Sequence, residues 1–82
     1  SWKEECRNKV TACDGVIALI THHLLRADGQ QWELRCAYDS KMPVLLLQGD
    51  SEKLPARLPE PVGERDIDAW TWSNISTFLN RL

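Results

Sequence analysis

The chain has 82 residues, 43% of them apolar and 27% charged, with a formal net charge of −2. One small domain fits that length. Twelve acidic against ten basic side chains leave no surplus for gripping a phosphate backbone, so nucleic acid is not an expected partner. Membrane insertion is not expected either, because the apolar runs Val16–Ile20 and Val44–Leu47 are far shorter than the roughly 20 residues of a spanning helix.

Cys6, Cys13 and Cys36 make an odd number with no CxxC pair, unlike a secreted disulfide scaffold. The opening Ser1-Trp2-Lys3-Glu4-Glu5 has no apolar h-region and no initiator Met, so the expected setting is cytoplasmic, with an amino terminus that need not be the natural one. Four tryptophans each call for a core or a ligand to cover them.

In chain order, Trp2, Cys6, Val10 and Cys13 recur at helical spacing with charged residues between them, which predicts an amphipathic helix stopped by Asp14-Gly15. Val16 to Thr21 is a β-branched apolar run, expected to be a strand covered on both faces, as in parallel sheets. His22 to Gly29 reads as a loop and Gln30 to Ser40 as a helix, before Pro43 to Gln48 forms a second buried strand. Gly49 to Gly63, with Pro55, Pro59 and Pro61, suits a long surface loop. Arg65 to Trp70 alternates like a short edge strand. In the last element Ile75, Phe78, Leu79 and Leu82 form one helical stripe, with Trp72 a turn before and Thr71 or Ser73 as the cap. Trp2, Trp70 and Trp72 are expected on the faces that cover the sheet.

Two apolar strands joined by a helix make a βαβ unit with a right-handed crossover, so the fold class is α/β with an open parallel sheet. Two strong strands and a weak one cannot cover such a sheet. The expectation is therefore that one or two amino-terminal strands are missing from this chain or supplied by another copy.

Ligands of open α/β sheets bind beyond the carboxyl ends of the strands, which directs attention to His22 through Glu33. At about 100° per residue, Gln31, Arg35 and Asp39 form the wet face of the second helix, and Glu33 falls on the opposite side with Cys36, Ala37 and Ser40. A carboxylate on the core side must be accounted for, either by the helix dipole or by catalysis. Glu33 is the candidate catalytic residue; Trp32 and His22 are candidate substrate-binding residues.

The motifs Cys13-Asp14-Gly15-Val16-Ile17-Ala18-Leu19-Ile20-Thr21, then Gln31-Trp32-Glu33-Leu34-Arg35-Cys36-Ala37-Tyr38, then Met42-Pro43-Val44-Leu45, and the closing Trp70-Thr71-Trp72-Ser73-Asn74-Ile75 with Phe78-Leu79 resemble the bacterial TIR-like domains of the Thoeris defence type. The resemblance implies a flavodoxin-like fold of which residues 1–82 are the carboxyl-terminal part. It implies cleavage or cyclisation of NAD at the nicotinamide–ribose bond in antiphage immunity. Glu33 matches the catalytic position, with Ala37 four residues on. Gly29 stands where many such enzymes carry a tryptophan, the indole here being Trp32. NAD is then a substrate and no cofactor is expected. Homo-oligomers through contacts between TIR-like domains are. A carboxylate near the ribose can hold its hydroxyls and stabilise oxocarbenium-like charge, and an indole can stack on the cationic ring.

The alternative is a non-catalytic TIR-like interaction module. No metal site is expected, because His22-His23 are adjacent on a loop and the cysteines lack ligand-pair spacing. Gly15, Gly29, Gly49 and Gly63 are isolated, so no phosphate-cradling glycine loop is present.

Overall fold

Alternating the branched residues of one segment with those of another produces a pair of strands only if a crossover long enough to return the chain lies between them, and here that crossover is a helix. The computed structural model describes residues 1–50 and 53–82. Helix α1 (Trp2–Thr11) leads to strand β1 (Val16–Ile20), a 3-10 turn (Leu24–Arg26), helix α2 (Asp28–Asp39), strand β2 (Val44–Gln48) and helix α3 (Trp72–Asn80). The mixed α/β class is as expected. The described sheet consists of two parallel strands, β1 and β2, in the register Val16↔Val44 through Ile20↔Gln48.

Local chemistry explains each boundary. Ser1 caps α1 by accepting from the Glu4 N–H, with Glu4 and Glu5 at the positive end of the helix dipole and Lys9 at the other. Thr71 caps α3 by accepting from the Asn74 N–H. Helix α2 begins two residues earlier than its apolar pattern suggests, at Asp28, and takes Gly29 into its first turn. It has no side-chain cap. The Gln31 amide compensates by donating to Leu25 O at 2.6 Å, which ties the helix to the preceding turn. Lys41, at φ 58°, ends α2 in the left-handed conformation, and the Met42 N–H closes on Ala37 O.

Strand alternation sorts side chains onto two faces. Ala18, Ile20, Val44 and Leu46 meet Leu34 of α2, Leu24 of the 3-10 turn and Val62 of the later loop, with Leu54, Leu58 and Ile67 packed around them. On the opposite face Leu45 and Leu47 are buried, while Ile17 and Leu19 are 40% and 37% exposed. The expectation that β1 is covered on both faces is therefore corrected. The second face is sealed over β2 and open over β1, because no described strand pairs with the outer edge of β1.

The expected strand over Arg65–Trp70 reduces to a single parallel bridge between Leu47 and Asp68, with Gln48 N–H donating to Asp68 O and Asp68 N–H to Leu46 O. Of residues 65–70 only Ile67 is partly buried, so the segment has no second face covered to hold a strand. Tryptophan placement also departs from expectation. Trp2, Trp70 and Trp72 are 54%, 57% and 73% exposed, since no described element lies outside them. At Gly15 a Cβ would come 2.9 Å from Leu82 and 3.2 Å from Phe78, so a larger residue there would push the side chains at the α3 end away from the start of β1. No described helix is long and apolar enough to cross a membrane.

The one-sided core makes a stability prediction. Leu34→Ala, at a side chain only 2% exposed, should cost about 2–5 kcal/mol. Ile17→Thr, on the open half of the sheet, should change stability by less than about 1 kcal/mol. Urea denaturation followed by circular dichroism checks both, and comparable losses would mean that the open face is closed in solution.

Candidate functional site

Glu33, Trp32 and His22 are carried by elements that converge on β1, yet the three side chains enter three different clefts. Glu33, on the flank of α2, lines a cleft of about 320 Å³ floored by Val16, Ile17, Ala18 and Leu19 of β1 and bounded by Gln30 and Leu34. It also reaches a second cleft shared with Cys6, Val10 and Val16. The expectation of a core-facing carboxylate is corrected: Glu33 is exposed, whereas Cys36 and Ala37 beside it are buried and Ser40 is exposed. The reason is the open edge of β1. The flank of α2 that overhangs that edge has nothing opposite it among the described residues.

Glu33 is nevertheless engaged on the α1 side. Burial, followed by the negative charge of Glu33 and the neighbouring Cys36, raises the Cys6 thiol above its ordinary 9.0. Cys6 is thus a protonated thiol at neutral pH rather than a thiolate nucleophile.

Trp32 is half-buried between the two helices. Its indole N–H donates to Lys3 O at 3.3 Å, and the Lys3 ammonium and Arg7 guanidinium lie 4.8 and 5.5 Å from its ring. These contacts fasten α1 to α2 through a cation-bearing aromatic contact. The shallow cleft that Trp32 lines contains Trp2, Lys3, Asp28, Gln31 and Arg35, and not Glu33.

His22 lies just past the end of β1, in a cleft of about 770 Å³ with Thr21, His23, Arg26 and Asp50. Asp50 follows β2, and one of its oxygens, Oδ2, accepts both the His22 backbone N–H at 2.7 Å and His22 Nδ1 at 2.6 Å. Those two hydrogen bonds, the backbone one first, hold the Asp50 carboxyl below its ordinary 3.8. Asp50 is the polar partner that sequence reading missed. It sits 28 residues from His22, just after β2, and only the parallel register brings the two strand ends together.

Among the described residues no three His, Cys, Asp or Glu side chains gather closely enough to hold a metal ion. No family model matches the chain, and neither a curated protein nor a solved structure matches it significantly.

The Asp50 contact sets a pH dependence. A carboxyl held below its ordinary value contributes stability that is present above about pH 4 and is lost as pH falls through the depressed value. Asp50→Asn should therefore lower the urea midpoint at pH 7, and the difference should shrink as pH falls below about 4. Equal midpoints at both pH values would show that the contact is energetically silent.

Proposed function

We propose that this chain is the carboxyl-terminal part of a TIR-like domain that cleaves or cyclises NAD at the nicotinamide–ribose bond, with Glu33 as the catalytic carboxylate. The observation that carries the reading is the position of Glu33, an accessible carboxylate overhanging the edge of β1 that no described residue pairs with and lining a cleft whose floor is that strand. A half-walled cleft of this kind gains its other wall when a further strand pairs with β1. The added strand would come from another segment of the same polypeptide or from a second copy.

The chemistry asked of Glu33 is modest. Nicotinamide departs as a neutral molecule, so no strong general acid is required, and an ionised carboxylate beside the ribose stabilises the positive charge that develops as the bond opens. The Cys6 thiol lines a cleft with Glu33 on the α1 side. In this reading the domain works in the cytoplasm, in antiphage immunity or signalling, and assembles as a homo-oligomer.

The free edge of β1, together with exposed Ile17 and Leu19, favours a second reading, a non-catalytic module whose sheet edge serves assembly. One experiment separates the two. The polypeptide carrying this chain is incubated with NAD, and nicotinamide release is compared with that of Glu33→Gln, alongside light scattering. Loss of about a hundredfold or more in rate, with an unchanged melting curve, supports catalysis. Equal rates in the two forms exclude Glu33 as the catalytic group, and no turnover in either with oligomers retained favours the assembly module.

A further inference from the structure

The cleft at the carboxyl ends of β1 and β2 has its own chemistry, independent of Glu33, with which it shares no lining residue. Asp50 Oδ2 accepts from two His22 groups at 2.7 and 2.6 Å. The depressed carboxyl is ionised at neutral pH and can only accept. The proton of the His22–Asp50 contact therefore resides on Nδ1, and in the neutral ring Nε2 is left as a lone-pair acceptor. The backbone N–H bond to the same oxygen fixes the turn that carries the ring, so the imidazole is oriented from two directions.

Arg26 lines the same cleft one turn further on. Its Nε donates to His22 O at 3.3 Å, which anchors the base of the guanidinium and leaves its two terminal amino groups. Among the described residues they meet no carboxylate within ion-pair distance. Thr21 Oγ1 accepts from the Leu24 N–H at 3.0 Å and so holds the loop between the two functional side chains. Leu25, Pro55 and Pro59 supply apolar wall.

With the His22 ring neutral, the cleft presents an oriented acceptor beside a forked cation, with apolar surface around both. A bare cation would be repelled by Arg26. A bare anion would leave Nε2 without a donor. A ligand that carries a hydroxyl and a phosphate satisfies both groups, because Arg presents a fork matched to phosphate oxygens and a hydroxyl donates to imidazole. The cleft volume of about 770 Å³ lies within the range of small-molecule sites. We propose that this strand-end cleft binds a phosphorylated sugar, with a sugar hydroxyl donating to His22 Nε2 and the phosphate on Arg26.

The test is nitrogen NMR of the histidine rings in the intact chain, titrated with ribose 5-phosphate, ribose and inorganic phosphate in parallel. Without ligand, the neutral His22 ring should be the Nδ1–H tautomer. Ribose 5-phosphate should shift its resonances saturably, with a Kd at least about tenfold below that of ribose or of inorganic phosphate. His22→Gln and Arg26→Gln should each weaken ribose 5-phosphate by about tenfold, and Arg26→Gln should bring it level with ribose. Arg26→Lys, which keeps the charge and removes the fork, should recover part of the loss. An Nε2–H tautomer in the free protein overturns the proposal without any variant. So does equal affinity for inorganic phosphate and ribose 5-phosphate, which identifies an adventitious anion site only, and so does binding that survives both Gln substitutions. None of these readouts depends on NAD turnover or on Glu33.

Discussion

The parallel pairing of β1 with β2 is the interaction on which the remaining features depend. A parallel pair requires a crossover, and the crossover here contains both the 3-10 turn and α2. The same register that places Ala18 and Ile20 beside Val44 and Leu46, against Leu34, also ends both strands at one level. Two strands alone bury too little to be stable. They persist because α2 and the loop carrying Leu54, Leu58 and Val62 close one face, and because the bridge at Asp68 adds main-chain hydrogen bonds to β2 at the edge away from β1.

This arrangement is asymmetric in a way that matters for function. β2 is bonded along both edges, with Leu45, Leu46 and Leu47 buried, whereas among the described residues β1 is bonded along one edge and leaves Ile17 and Leu19 partly in water. Unpaired strand edges and accessible apolar side chains on the same strand are the conditions under which a further strand is gained. Glu33 stands above that edge. Its accessibility is thus a property of the edge rather than of α2 itself, and adding a strand would alter the surroundings of Glu33.

Much of the architecture is legible in the residues. The spacing of Trp2, Cys6 and Val10 marks α1, the β-branched and leucine runs mark the strands, and Thr71 marks the start of α3, because these signals are local and each is reinforced by a cap or a breaker. What escapes local reading is relational. Gly29 looks like loop yet enters α2, since Gln31 supplies the missing restraint from its side chain. A helical projection can assign Glu33 to the side away from Gln31, Arg35 and Asp39, but whether that side is core depends on a neighbour of β1. Trp72 continues an apolar stripe and is still exposed, because a stripe is buried only where something covers it. The pairing of His22 with Asp50 is invisible for the same reason, being set by the sheet and not by either segment.

That dependence makes the His22–Asp50 contact a consequence of register in a strict sense. Ile20 is opposite Gln48, so the residues two further along each strand, His22 and Asp50, are brought to the same level, and the Gly49 N–H donating to Ile20 O continues the ladder to that point. A slip of one residue would turn Leu46 away from Leu34 and Ile20 and is excluded by the core. A slip of two would preserve the faces but move Asp50 by about 6.6 Å along the strand direction, beyond reach of the imidazole. The residues that close the core therefore exclude the first error, and the polar contact at the strand ends discriminates against the second. At Gly49 a Cβ would lie 2.7 Å from Thr21 and 3.2 Å from Leu19, so the chain leaving β2 can lie against the end of β1 only with glycine there. The same close approach that carries Asp50 to His22 also shapes the cleft beside them.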